Sequence, residues 1–486
     1  MNEPVPGLEE TRRLLADHDV VAVVLELPIG DLTPVGVMRA LGTEANCFLL
    51  ESVEGSGAIA RWSMLGHNPS RVISDSGDAE DPLALLDRDV ASLATACEPG
   101  LSAPLLGGAV GFLTYEAARR YERLPAPAWD PLGLPPQWFA IFDTIAVFDH
   151  APHRLLLSSC VHRDDADGID VAYARAVRQI DELLEAIQAT QSAAAPALAG
   201  IPVDVPAHDG EANLSRSDFQ DRVRQALEYI VAGDIFQVQV SRRFAVPLQA
   251  NPFDVYVALR AINPSPYMIY IATPDCTLVG ASPEMLVQVT GDLVRYHPIA
   301  GTRRRGRTPE DDARMEQELR ASDKEAAEHL MLIDLGRNDL GRVCATGSVR
   351  VTQHMEVERY SHVMHLVSSI EGTLADGCNS LDALRSCFPA GTVTGAPKIR
   401  AMEIIAELEP EIRGPYAGAI GYVGYGGDLD TAIALRTIVV RDGIAYVQAA
   451  AGIVADSSVQ EETVEIDNKV AAQILAVEEA NAWARR

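Results

Sequence analysis

Between Gln188 and Gly210 the chain reads QATQSAAAPALAGIPVDVPAHDG, where Ala, Pro and Gly displace any amphipathic period. Such a stretch reads as a linker or a surface crossing. The 486 residues are therefore expected to divide into an N-terminal region over 15–187, a linker over 188–210 and a second region over 211–482. Ahead of the break, VVAVVLEL, CFLLESV, PLLGGAVGFLTY and WFAIFDTIAVFDH read as short strands, and YARAVRQIDELLEAIQ reads as a helix. Beyond it, SRSDFQDRVRQALEYIVAGD predicts a long helix stopped by Gly233, and YMIYIA, TLVGAS, MLVQVTG and GDLVRYHPIA follow as strands. The mixture is α/β. GGAVGFLTYE near Gly108 echoes GAIGYVGYGG near Gly418, and both are expected in inner strands of facing sheets, where Gly admits a close backbone.

Composition narrows the function. With 48% hydrophobic and 22% charged residues the chain is globular, and no run approaches the roughly 20 apolar residues of a membrane span. The opening MNEPVPGLEETRRLLADHD lacks an export pattern, which predicts a cytoplasmic protein. Seven scattered cysteines, none spaced CxxC, fit free thiols better than disulfides or a zinc site. A formal charge of −29 argues against nucleic-acid binding. An anionic small molecule would need local positive charge, and the candidates are the run Arg303, Arg304, Arg305 and Arg307, with Arg436, Lys398, Lys469 and a bound metal ion.

Two helix patterns carry paired carboxylates. In SDKEAAEHLMLIDLGRNDLGRV, starting at the expected cap Ser322, Glu325 and Glu328 are three apart and share a face. Glu462 and Glu465 repeat the spacing in VQEETVEIDNKVAAQILAVEEA, with Lys469 one turn on. One carboxylate from each helix, completed by a substrate carboxylate, suits Mg²⁺, although such pairs are most often ordinary solvated faces. FPAGTVTGAPKIRAMEII joins a Gly/Thr turn to a helix with Pro397 in its first turn, and its amides with Thr392 and Thr394 can hold an anion or hydroxylated ring. AAAGIVADS, from Ala449 to Ser457, reads as a second amide-rich turn. His365 is a candidate base, with His362 three residues earlier, and Glu284 after an apolar strand is a candidate acid. A lone His or Glu in such settings is as readily structural.

GASPEML, HPIAGTRRRG, DKEAAEHLMLIDLGRNDLGRV, YSHVMHLVSSIEG, FPAGTVTGAPKIRAMEII, GAIGYVGY, ALRT and GIVADSSVQEETVEIDNK follow one another as in chorismate-utilising enzymes. FLLES, RWSMLG and GGAVGFLTYE extend the resemblance to the N-terminal region of anthranilate synthase component I. The resemblance implies an α/β fold of the α+β type, with two facing antiparallel β-sheets and outer helices. It also implies Mg²⁺ at Glu328 and Glu465, supported by Glu325 and Glu462. Arg436 and Tyr416 would hold the enolpyruvyl side, Thr392 and the amides of Ala449, Ala450, Ala451 and Gly452 the ring and its carboxylate, and Lys469 the C1 carboxylate. Glu284 would protonate the departing C4 hydroxyl and His365 would assist pyruvate loss. Ala450 stands where the family often has Gly.

Gln237 in GDIFQVQV occupies the place of a water-activating Lys in isochorismate and salicylate synthases, and Ala300 in PIAGT the place of the Lys of typical aminodeoxychorismate synthases. Both differences point to direct attack of ammonia at C2, giving anthranilate and pyruvate from chorismate. No glutaminase motif is visible, so a separate glutamine amidotransferase subunit is the expected ammonia source, in a hetero-oligomer. Glu51, Ser52, Asn263, Pro264, Pro266, Tyr267 and Met268, in FLLES and NPSPYM, resemble a tryptophan feedback site. The alternatives are an aminodeoxyisochorismate synthase, an aminodeoxychorismate synthase component I, and a catalytically silent tryptophan-sensing subunit.

Overall fold

The structure is a computed structural model and describes residues 3–53, 61–75, 81–125, 127, 129–189, 211–306, 308–359 and 363–485. The predicted linker from 190 onward and His362 lie outside the described residues. The described strands form a 13-stranded and a 10-stranded sheet, nearly all antiparallel. Neither sheet belongs to one half of the chain. In the larger, Tyr267–Ala272 pairs with Cys47–Glu51 and sets Met268 opposite Glu51. In the smaller, Ala419–Gly424 pairs with Gly108–Leu113.

That second pairing corrects one expectation. The two glycine-rich echoes are not in facing sheets but are neighbours in one sheet, with Gly111 opposite Gly421. Close approach is nevertheless their reason for being Gly: a Cβ on Gly421 would lie 2.1 Å from the Asp430 carbonyl oxygen, and one on Gly111 2.1 Å from that of Trp138. No side chain fits at such distances.

Between the sheets, Phe48, Ile269, Ile271 and Leu278 of the larger meet Phe112, Trp138, Ile420 and Tyr422 of the smaller. Each such side chain removed from water contributes about 1.5–3 kcal/mol, which holds the layers face to face. Helices cover the outside. Ile169–Gln188 buries Ala176, Ile180, Leu183 and Ile187 on a helical stripe, and Val459–Ala484 packs on Ile444–Ile453. Local chemistry sets the helix ends as expected: the Ser322 hydroxyl accepts from the Glu325 N–H at 3.3 Å, and Gly233 closes Arg216–Ala232 with φ +83°. Pro397 sits at the cap of Lys398–Leu408, one residue ahead of the first turn. Among the described residues no helix is long and apolar enough to cross a membrane, and all seven cysteines are free.

Candidate active site

Glu284 lies where the chain leaves Thr277–Ser282 of the larger sheet and enters Met285–Thr290 of the smaller. Its backbone is fixed there, because the Ile433 N–H donates to the Glu284 carbonyl at 3.0 Å and the Ser282 hydroxyl donates to the Ile433 carbonyl at 2.7 Å. With 5% exposure, burial pushes its carboxyl up to about 8, against the opposing pull of the Thr392 hydroxyl and the Ile299 backbone. At neutral pH it carries a proton that it can give. Thr392 comes from the short turn Gly391–Val393.

His365 sits on Val363–Thr373, which pairs with Ile299–Arg304. The register slips between Ala300 and Thr302, so Gly301 is the extra residue of a bulge, at φ +69°. The bulge turns the Gly301 carbonyl toward His365 Nδ1, 3.1 Å away. A carbonyl only accepts, so Nδ1 bears the hydrogen and Nε2 the lone pair. Desolvation lowers the imidazole pKa, the Gly301 carbonyl raises it and Arg436 lowers it. The net effect is a neutral ring at pH 7, suited to take a proton.

Arg436 follows Leu429–Ile433 at φ +50°. Its Nη1 donates to the Lys469 carbonyl at 2.5 Å, and among the described residues no carboxylate lies within ion-pair distance of it. Desolvation lowers its pKa, opposed by Tyr416 and Glu465. A partly buried guanidinium without a counter-ion is a place for an anion. Tyr416, 5% exposed, faces the Ala450 amide, and burial raises its phenol pKa. Lys469 Nζ reaches the Ala450 carbonyl at 2.9 Å and Glu465 at 2.5 Å.

The segment Ala449–Gly452 is not a turn. It closes the strand Ile444–Ile453, with Ala450 opposite Ser241 and Gly452 opposite Gln239, and the turn comes later, at Ala455–Asp456. Ladder pairing therefore occupies part of the backbone expected to cradle a carboxylate. Gln237 and Gln239 crowd Gly452, where a Cβ would lie 2.8 Å from Gln239 Nε2 and 3.1 Å from Gln237 Nε2. Gln237 Oε1 is buried without a hydrogen-bond partner among the described residues. Ala300, opposite Leu366, has no polar group to offer as a nucleophile.

Glu325 and Glu462 lie in the first turns of Asp323–Gly341 and Val459–Ala484, and Glu328 and Glu465 about one turn further on. Glu325 is bonded to Arg303 at 3.0 Å, Glu465 to Lys469, and Glu462 is buried at 6% exposure, while Glu328 is partly buried one turn beyond Glu325. Among the described residues no group of three or more His, Cys, Asp or Glu is spaced to hold a metal. The donors are nonetheless hard carboxylate oxygens of the kind Mg²⁺ prefers, and two protein ligands suffice where a substrate carboxylate and water complete the shell.

FLLES and NPSPYM also come together. Val53 N–H donates to the Ser265 carbonyl at 3.3 Å, Asn263 caps the helix Pro252–Ile262 ahead of Pro264 and Pro266, and Tyr267 and Met268 open the strand beside Glu51. Glu51 accepts from Tyr256 at 2.7 Å and Arg260 at 3.0 Å, whereas the buried Ser52 hydroxyl has no hydrogen-bond partner among the described residues.

Sequence reasoning missed Arg413. It is 1% exposed, paired with Glu409 at 2.7 Å, and lies over the rings of Tyr115 at 4.7 Å and Tyr416 at 5.8 Å. It also donates to the Val393 carbonyl at 2.8 Å, next to Thr392, and its own N–H donates to Glu116 of the first half at 2.8 Å. An arginine in EIRGPY gives no local sign of such a position.

A carboxyl at the crossing between the two sheets, an imidazole on the smaller sheet and a guanidinium whose charge reaches that imidazole are groups suited to an enzyme for a small anionic substrate. Residues 45–475 match the chorismate binding enzyme family, and the chain belongs to it. It is 49% identical over 482 residues to anthranilate synthase component 1 of Streptomyces coelicolor, covering 99% of this chain and 93% of that one. Identity to anthranilate synthase component 1 of Acetivibrio thermocellus is 42% over 490 residues, covering 98% and 99%. The crystal structure of anthranilate synthase component I from Streptococcus pneumoniae superposes with a TM-score of 0.75 at 37% identity, covering 86% of this chain and 93% of that one.

Proposed function

We propose that the chain is the catalytic component of an anthranilate synthase, converting chorismate and ammonia into anthranilate and pyruvate. The observation that carries this reading is the division of labour between Glu284, held protonated by burial, and His365, held neutral with Nε2 as base. The Arg436 guanidinium and the Tyr416 hydroxyl bind the enolpyruvyl carboxylate, Lys469 the ring carboxylate, and Thr392 with the edge at Ala449–Gly452 orients the ring. Ammonia attacks C2 as Glu284 gives its proton to the C4 oxygen, which leaves as water. Nε2 of His365 then takes the C2 proton as the C3–O bond breaks, the ring becomes aromatic, and the released enolpyruvate is protonated at its methylene carbon to give pyruvate. Mg²⁺, held by Glu328 and Glu465 with Glu325 and Glu462 in support, would supply counter-charge to the ring carboxylate.

The name component 1 borne by the relatives supports a second component, which we take to be a glutamine amidotransferase supplying ammonia. Free thiols support a cytoplasmic location. The Ser52 hydroxyl, without a hydrogen-bond partner among the described residues and next in the chain to Glu51, which stands opposite Met268, supports a tryptophan feedback site. An enzyme that stops at aminodeoxyisochorismate would need no base for the second step, and a silent sensor would need neither acid nor base. The deciding experiment incubates the purified chain with chorismate, Mg²⁺ and ammonium at alkaline pH and identifies products by fluorescence and mass. Anthranilate is expected; intermediate alone, or no consumption of chorismate, sinks the reading.

A further inference from the structure

The guanidinium of Arg413 has no role in the steps above, yet it is bonded to two of the backbone segments on which they depend. It is 1% exposed and meets Glu409, the residue that ends the helix Lys398–Leu408. Nε donates to Glu409 Oε2 at 2.9 Å and Nη2 to Oε1 at 2.7 Å, fork against fork. The remaining donors go to two carbonyls. Nη1 donates to that of Val393 at 2.8 Å, which fixes the turn carrying Thr392, and Nη2 donates to that of Gln239 at 2.7 Å, opposite Gly452 in the ladder. Glu409 adds a third tie, since its Oε1 accepts from the Ser241 N–H at 2.8 Å, opposite Ala450.

The charge also acts on Tyr416, whose ring centre is 5.8 Å from the guanidinium carbon. Burial raises the phenol pKa, and Arg413 is first among the groups that oppose the rise, which makes the hydroxyl a stronger donor toward an anion. The main chain at this point is clamped as well: the Arg413 N–H donates to Glu116 Oε1 at 2.8 Å and the Gly414 N–H to Oε2 at 3.0 Å. A buried ion pair is a weak source of stability, because an apolar pair of the same volume often serves as well. The geometry it imposes is the better reason for its presence. We propose that Arg413 is a positioning residue for the chorismate site: without touching substrate, it sets the Thr392 turn and the Tyr416 hydroxyl at the spacing that receives the ring and the enolpyruvyl carboxylate. This rests on the reading of Thr392 and Tyr416 as substrate-binding groups.

The test is Arg413→Lys, which keeps a charge for Glu409 but has three donors and no planar fork, too few to hold both Glu409 oxygens, Val393 and Gln239 together. The enolpyruvyl carboxylate bears the same charge in chorismate and in the transition state for amination, so misplacing its holders weakens both alike and is read in KM. With ammonium and Mg²⁺ saturating, KM for chorismate should rise about tenfold or more while kcat falls no more than about threefold. Tyr416→Phe alone should raise KM about tenfold, and combining the two should give about thirtyfold or less rather than a product of about a hundredfold, because one residue acts through the other. Glu409→Gln with Arg413→Met is the second variant: it leaves no charge buried and keeps an acceptor for the Ser241 N–H, so it should unfold thermally near wild type and show the same rise in KM. KM unchanged in either variant that folds, a fall in kcat alone, the full product in the combined variant, or loss of the fold in both variants makes Arg413 a framework residue and overturns the proposal. Those outcomes leave the activity reading standing as long as wild type makes anthranilate. A wild type that consumes no chorismate ends that reading and this one together.

Discussion

At the residue scale the two chemical steps separate. Departure of the C4 oxygen needs a proton, which on the proposed reading comes from Glu284, so Glu284→Gln should abolish intermediate and product together. His365→Ala should lower anthranilate formation by roughly 10²–10⁴-fold while aminodeoxyisochorismate accumulates, since amination does not use that base. A chromatographic time course of chorismate, intermediate and anthranilate distinguishes the outcomes, and equal loss of chorismate consumption in both variants refutes the assignment. The same residue predicts a pH dependence. Glu284 is competent only while protonated, so turnover normalised to free ammonia should hold below about pH 8 and decline above it as the proton is lost. A rate that keeps climbing through pH 9 after that normalisation would exclude Glu284 as the acid.

At the scale of single elements, the Gly301 bulge orients the base. A side chain at φ +69° costs ~1–2 kcal/mol, and a Cβ there would lie 3.0 Å from both Glu325 Oε2 and Leu319 Cδ1. Gly301→Ala should therefore reduce anthranilate formation more than chorismate consumption, by displacing the carbonyl that fixes His365; parallel losses would assign the bulge a purely structural role. For the two helices, Glu328→Gln or Glu465→Gln should cut Mg²⁺-supported turnover by about tenfold or more, read from a Mg²⁺ titration after chelation. Unchanged Mg²⁺ dependence in both removes them from the metal site. Helix ends were legible beforehand because Ser322 and Gly233 act within one turn of chain. The strand through Ala449–Gly452 was not, since Ala and Gly carry little strand preference and only the partner Gln237–Pro247 makes them extended. Glu284 and His365 stood out as titratable groups beside apolar runs. Arg413 could not, because its bond to Glu116 spans 297 positions and leaves no periodic trace.

For the whole molecule, the first half builds both sheets together with the second, and on the proposed reading it is also where tryptophan acts. Ser52→Arg should relieve tryptophan inhibition and leave uninhibited turnover nearly intact, because the bulky cation fills the effector pocket without reaching the substrate; inhibition curves for the two proteins decide it, and an unchanged curve rejects the pocket. The break in the sequence at Gln188 reads as a linker or surface crossing between two regions, and both sheets draw strands from each of them, through Tyr267–Ala272 against Cys47–Glu51 and Ala419–Gly424 against Gly108–Leu113. During synthesis this imposes an order of events. The strands Cys47–Glu51 and Gly108–Leu113 leave the ribosome with an apolar edge each, and the chain that will cover them has not yet been made. Until its other half is made, the nascent first half exposes two unpaired strand edges, the condition in which a chain is most open to aggregation.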